Sequence, residues 1–267
     1  MTRGADVPTL ETVACALADG VATVELNRPE KLNALDERMA SELAAALRWA
    51  READCRAVLL AAAGKAFCAG RDVSHVDPAD DDAADVLGRQ VNPLIRGVRD
   101  IPFPTFAAVQ GACLGAGLGL ALACDVVYAA EDARIGSPFN RLGAVLDSGG
   151  HALLLRRLGP GRTLELIYTG ELLDGRRAAA AGLVERSLPT PMLREFAVRA
   201  AAQAAKGPTS AFKESKIIVR DLAEGCVSLE HSLEAELSGQ IRASLTEDYH
   251  EGFAAFLAKR KPEFTGH

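Results

Sequence analysis

The chain of 267 residues lacks a surplus of basic residues: 30 Lys and Arg stand against 36 Asp and Glu, for a formal charge of -6. Nucleic-acid binding by counterion release needs a basic field, so the charge balance argues against that class. The six cysteines include no C-x-x-C pair, and Cys15, Cys68, Cys113 and Cys124 lie in apolar or Gly/Ala-rich surroundings. That pattern predicts reduced thiols in a cytoplasmic protein rather than a disulfide framework. The five histidines show no H-x-x-x-H spacing and no clustering with cysteine, so no metal site is expected. The N-terminal stretch has no apolar h-region, and every apolar run is broken by glycine or charge before it could span a bilayer. Neither export nor membrane insertion is expected.

The chain does have ordinary globular composition, 49% hydrophobic and 25% charged, at a length that fits one core with an appendage. Thr12–Leu17 and Val21–Leu26 flank Asp19-Gly20, a hairpin signal. Asp36 stands ready to cap a helix whose apolar face is Met39, Leu43, Leu47 and Ala50. Ala57–Ala61 follows as a buried-strand run, with further strands expected over Thr105–Gln110 and Asp125–Ala130. Alternation of strand and amphipathic helix predicts an α/β fold. From Gly150 onward the pattern is helical, with Gly170, Gly175 and Gly182 as stops, a helix around Leu229–Leu237 and a last one over Tyr249–Lys261. The dense charges from Asp77 to Asp85 favour a solvated mobile loop over a lid.

Gly111–Ala123 is rich in glycine and admits three readings. A dinucleotide fingerprint fails because Gly115 and Gly117 are followed by Leu120 where a third glycine is needed. Close helix packing is the second reading, and a helix N-terminus that offers free N–H groups to an anion or oxyanion is the third.

Leu26-Asn27-Arg28-Pro29 through Leu32-Asn33-Ala34-Leu35, Ala66–Asp72, and Val109-Gln110-Gly111 through Asp125 resemble, in order, the enoyl-CoA hydratase/isomerase (crotonase) superfamily. Ser148-Gly149-Gly150, Tyr168-Thr169-Gly170, Ala181–Val184 and the tail Glu251–Lys261 extend the resemblance to most of the chain. It implies a ββα-spiral core over residues 1–200 and a C-terminal helical region over 201–267 that takes part in forming a homotrimer or a dimer of trimers. It also implies an acyl-CoA thioester ligand, with coenzyme A part of the substrate and no separate cofactor. The thioester carbonyl would be polarised by the backbone amides of Arg71 and Ala116, at about 3 kcal/mol of transition-state stabilisation each. The ligand would be contacted by Lys31, Leu32 and Ala34, by Ala69 and Gly70, by Gly115 and Gly117, and by Phe139. Toward the nucleotide end the contacts would be Phe256 and Lys259.

Where hydratases of the family carry two acid/base glutamates, this chain has Gly119 and Phe139. Neither side chain can move a proton. Asp147 is the one carboxylate in the segment from Gly136 to Gly150. On the residues alone, the cap of the following helix is the favoured reading. The Phe-x-x-Leu-Gly and Asp-Ser-Gly-Gly pattern, however, is similar to the 2-(1,2-epoxy-1,2-dihydrophenyl)acetyl-CoA isomerase branch, in which this aspartate is the acid/base, and that favours the catalytic reading. The sequence thus points to an acyl-CoA isomerase, with a hydratase using Asp147 and water, or an inert acyl-CoA binder, as alternatives. His75 is expected at the surface beside the acidic loop, His151 on the helix after Asp147, and Asn140, Arg141 and Glu171 in structural or surface positions.

Overall fold

The computed structural model describes residues 6–74, 76–77, 80–225 and 228–267. β1 (Val13–Ala18) and β2 (Val21–Leu26) form the expected antiparallel hairpin. Asp19 and Gly20 both adopt positive φ (51° and 72°), the geometry a tight D-G turn demands. The Asp36 carboxylate accepts the Met39 amide at 2.8 Å and starts α1 (Glu37–Glu52), which buries Met39, Leu43, Leu47 and Ala50 against the sheet. β3 (Ala57–Ala62) is buried along its whole length, as its unbroken apolar run requires.

After the acidic segment a continuous helical rod runs through α2 (Ala83–Asp85), a π-helical stretch (Val86–Val91) and α3 (Asn92–Arg99). β4 (Thr105–Val109) follows close to its expected bounds. The glycine-rich segment splits into a short strand, β5 (Ala112–Leu114), and the fully buried α4 (Ala116–Ala123). β6 (Val126–Ala130) and β7 (Arg134–Gly136) lead through a 3-10 turn at Phe139–Leu142 to α5 (Gly150–Thr169), which is kinked at Gly159-Pro160. β8 (Leu173–Asp174), α6 (Gly175–Ala180), β9 (Arg186–Leu188) and α7 (Thr190–Ala205) complete the packed layers. Gly175 opens a helix rather than stopping one: Asp174 caps it from the Arg177 amide at 2.7 Å.

One sheet has the order β1-β2-β3-β4-β6-β9, parallel from β2 onward, and a small second sheet has the order β5-β7-β8. α1 covers one face and α7 the other. α7 buries Ala197 and Ala201 on either side of residue 200, so the last helix on the sheet runs to Ala205. Beyond it, α8 (Thr209–Glu224) pairs with α9 (Leu229–Ala243), and α10 (Glu247–Leu257) precedes the tail. α10 stops short of the expected Lys261 because Lys259 turns left-handed, with φ 53°. Arg56 binds the tail through the Phe264 carbonyl at 2.8 Å. No helix among the described residues is long and apolar enough to cross a membrane.

Candidate active site

The site is assembled where the C-terminal ends of β2 and β3 meet the N-terminus of α4. Asn33 is fully buried and ties the first loop down: its amide donates to the Ala63 and Ala66 carbonyls at 2.9 and 2.8 Å, and its carbonyl accepts the Arg28 amide at 2.7 Å. Leu32 and Asn33 adopt left-handed φ (51° and 53°), which folds Lys31, Leu32 and Ala34 back on the segment after β3. Ala69 donates its amide to Leu32 at 3.0 Å. Leu35 then bridges Arg71 in parallel register, bonding the Gly70 carbonyl and the Asp72 amide, each at 2.8 Å. In that register the amide of Arg71 points away from Leu35, and it finds no backbone acceptor among the described residues.

Ala116 is the first residue of α4, so its amide is one of the helix's orphan donors and also lacks a backbone acceptor. Gly70 (φ 100°) joins the two donors: a Cβ there would lie 3.1 Å from the Leu114 carbonyl oxygen and 4.0 Å from the Ala116 nitrogen. Gly117 admits the Cys68 backbone, since a Cβ would stand 2.7 Å from the Cys68 Cβ. On the opposite side a Cβ at Gly119 would fall 2.6 Å from the Ser148 Cβ and closer still to its carbonyl oxygen. The close-packing reading of the glycines holds, and the helix they allow begins with an amide that has no backbone acceptor.

Asp147 does not cap α5, whose N-cap is Gly149 without any side-chain bond. Its carboxylate instead accepts the Ser148 hydroxyl at 2.5 Å. Ser148 is 1% exposed and left-handed (φ 56°), a strained setting for a serine, held by the fit against Gly119. Burial pushes the Asp147 carboxyl above its ordinary range, opposed by the Ser148 hydrogen bond and by the positive charge of Arg71. Neighbouring carboxylates are shifted the other way. Asp72 is pushed down to about 2 by hydrogen bonds from Ser74 and by Arg28, and the Arg71 guanidinium holds Asp81 down through two bonds at 2.6 and 2.8 Å.

The ring of Phe139, in the turn before Asp147, lies against Gly115, 3.1 Å from where a Cβ would be. It forms an apolar wall beside the Ala116 amide. A cavity of about 470 Å³ opens next to Arg71 and is bounded by Lys31, Leu35, Val76, Val86 and Gln90. Val86 and Gln90 belong to the π-helical stretch, a distortion common at functional sites. Cysteine chemistry plays no part here: burial raises the Cys68 thiol to about 12, and that of Cys113, which faces it, well above its usual range.

The fold links the expected residues pairwise: Ala69 bonds Leu32, Gly70 lies against the Ala116 amide, Phe139 lies against Gly115, and Asp147 feels the charge of Arg71, which borders the same cavity as Lys31. It does not bring Phe256 and Lys259 there within one chain. The tail that follows α10 is tied to Arg56, which precedes β3, whereas the site follows β3, roughly 20 Å of strand away. Asn140 donates to the Tyr168 carbonyl at 3.0 Å and Glu171 pairs with Arg162 and Arg177, so both are structural as expected. Arg141 and His151 are exposed, and His75 lies outside the described residues. The acidic loop departs from expectation: Asp81 is fastened to Arg71, and Asp82 caps α2 through the Ala84 and Asp85 amides. Sequence reasoning missed Ser148 and Asp81, because neither a left-handed serine nor an ion pair across a loop leaves a periodic signal.

An α/β chain with this sheet order and this glycine-packed helix has many relatives. A family profile described as enoyl-CoA hydratase/isomerase matches residues 17–267, and the chain belongs to that family. Its fold is the crotonase fold expected from the sequence. The 1,2-epoxyphenylacetyl-CoA isomerase of Escherichia coli K12 is 36% identical over 264 residues, covering 96% of this chain and 99% of that one. The 2,3-dehydroadipyl-CoA hydratase of the same organism is 34% identical, covering 92% of this chain and 95% of that one. A crystal structure of enoyl-CoA hydratase from Bacillus anthracis superposes with a TM-score of 0.89 at 32% identity, covering 96% of this chain and all of that one.

Proposed function

We propose that this protein is an acyl-CoA isomerase that shifts a proton through a thioester enolate, with Asp147 as the acid/base. The observation that carries the reading is the packing of Gly119 on Ser148. The position where hydratases of the family bear a glutamate is filled by Ser148, whose hydroxyl donates to the neighbouring Asp147 carboxylate, and this supports Asp147 as the replacement. With Phe139 at the second glutamate position, one carboxyl remains to move one proton.

Acting on a 3-enoyl thioester, Asp147 takes a proton from C2. The C–H electron pair forms the C1–C2 double bond while the carbonyl pair moves onto oxygen. The Arg71 and Ala116 amides donate to that oxygen, and the positive end of α4 adds to their effect. The carbonyl then reforms, the double bond settles between C2 and C3, and Asp147 returns the proton to C4. No electrons are gained or lost, so no separate cofactor is needed. The same carboxyl could assist rearrangement of an aromatic-ring epoxide to an oxepin, the chemistry suggested by the isomerase relative. The apolar wall of Phe139 suits a ring or an alkyl chain and helps desolvate Asp147.

The hydratase names among the relatives favour a second reading, in which Asp147 activates water for addition at C3. Incubating 3-hexenoyl-CoA and crotonyl-CoA in D2O with wild type and Asp147→Asn separates them. Isomerisation with C2 deuterium uptake that disappears in the variant is the expected result. Conversion of crotonyl-CoA to the 3-hydroxy thioester without isomerisation would replace the isomerase by the hydratase, and CoA-ester binding without any turnover would leave the inert binder.

The binding partner in this reading is an acyl-CoA, gripped near its thioester by the Lys31–Ala34 loop and Ala69. Self-association belongs to the same proposal. α9 presents Leu229, Leu233, Leu237 and Ile241 in one stripe, 76%, 49%, 63% and 55% exposed, an apolar seam at helical spacing that a second copy would bury. Phe256 and Lys259, remote from the site of their own chain, would reach the nucleotide end from such a neighbour.

A further inference from the structure

A second cavity, of about 480 Å³, lies between the end of α4, the first half of α5 and α8. Its size falls within the range of small-molecule sites, about 300–1,000 Å³. Most of its wall is apolar, with Ile95, Leu122, Leu153, Phe212 and Val219 contributing. Five cations also face it: Arg99, Arg156, Arg157, Lys216 and Arg220.

Fewer carboxylates answer them. Asp125 is shared by Lys216 at 2.6 Å and Arg220 at 3.3 Å, and it also accepts two bonds from Thr105. Glu224 is shared by Arg99 and Arg156. Arg157 forms no ion pair among the described residues. Its guanidinium donates to the Leu122 carbonyl at 3.2 Å, and the nearby Glu185, which accepts the Val127 amide at 2.5 Å, favours its charge without pairing with it. Burial nonetheless destabilises the charged form of Arg157. The cost of desolvating this cation exceeds what the nearby Glu185 and Asp125 charges return, and an anion entering the cavity would offset it. In a chain of formal charge -6, this local positive excess stands out.

We propose that this cavity is a second ligand site, separate from the thioester site, for an amphipathic monoanion whose carboxylate pairs with Arg157 and whose aliphatic body lies along Leu153, Phe212 and Val219. The recognition is that of a medium-chain fatty acid. Charge selects the headgroup, and the apolar wall selects the tail.

Calorimetric titration of the full-length protein with octanoate, and in parallel with octanol, tests this without reference to turnover, so its outcome is independent of the isomerase reading. Octanoate should bind at least tenfold more tightly than octanol, and more weakly as salt is raised. Arg157→Met should weaken octanoate about tenfold or more, and Leu153→Trp, which fills the cavity, should abolish binding, with unchanged circular dichroism in both. Saturating acetyl-CoA should not displace octanoate. Absence of binding, equal binding of octanoate and octanol, displacement by acetyl-CoA, or two folded variants that bind like wild type would each overturn the proposal. The first of these outcomes includes the case in which a second copy covers the cavity.

Discussion

α4 separates two halves of the proposed site that are made of different material. On the side of Cys68 and Gly70 the groups are backbone amides, of Arg71 and Ala116, fixed by strand register and by the start of a helix. On the side of Ser148 the group is a side chain, Asp147, whose ionisation depends on burial, a hydroxyl and a neighbouring guanidinium. The first half has no pKa and no rotamer, so it tolerates changes of side chain as long as the close approaches survive. The second half can be tuned, and also lost, by single atoms.

Substitutions can break this contrast. Asp147→Asn should have the largest effect, cutting turnover about a thousandfold, the scale of a lost general base, while CoA-ester affinity stays intact because the amides remain. Its effect on stability should have the opposite sign. The native carboxyl is raised by burial, so its charge penalises the fold as pH rises from the ordinary carboxylate range through the raised value. Below that range Asp147 is protonated in both folded and unfolded states and the penalty vanishes. Thermal melts should therefore show Asp147→Asn at least as stable as wild type at pH 7, with the difference closing in acid.

Gly119→Ala should strike both halves at once. Its methyl group meets the Ser148 backbone, and overpacking of this kind costs about 1–3 kcal/mol, visible as a lower Tm together with reduced kcat. Ser148→Ala should cost about tenfold in kcat near the acid limb, because a hydrogen bond to the ionised carboxylate is lost. Losing that donor raises the Asp147 pKa further, so the acid limb of the kcat profile should move to higher pH. A purely structural role for Ser148 would leave the limb in place. The mildest change should be Arg71→Ala, which keeps the amide and removes a partly exposed ion pair with Asp81 together with the smallest of the influences on Asp147. Turnover at neutral pH should fall no more than about threefold. A large loss of kcat in this variant would mean that the guanidinium, and not only the amide, takes part.

The backbone half was the more legible in the sequence, because glycine spacing and strand alternation are local signals. Gly115, Gly117 and Gly119 announced a tight helix start, and Asp36 and the D-G turn fell where capping and turn chemistry put them. The side-chain half was legible only through the family resemblance, since an aspartate before Ser-Gly-Gly reads by itself as a cap. What removes the cap reading is tertiary: Gly149 takes the N-cap position, and Ser148 is forced left-handed against α4. β5 escaped notice because three residues give too short a pattern, and the fastening of Asp81 to Arg71 spans a loop in which charge density alone suggested solvation.

The parallel order of the large sheet also imposes a timetable. The β1–β2 hairpin can close locally, but each later strand must wait for its crossover, and β6 meets β9 only after 55 intervening residues, from Glu131 to Glu185. Cys68, Gly117 and Ser148 come from three successive crossovers, so the amides and the carboxyl can meet only late in folding. Pulse-labelled hydrogen exchange during refolding should accordingly protect Ala16 and Thr23, a bonded pair of the hairpin, before Gly119, and a nascent chain shorter than about 150 residues should hold its hairpin yet have no site to occupy.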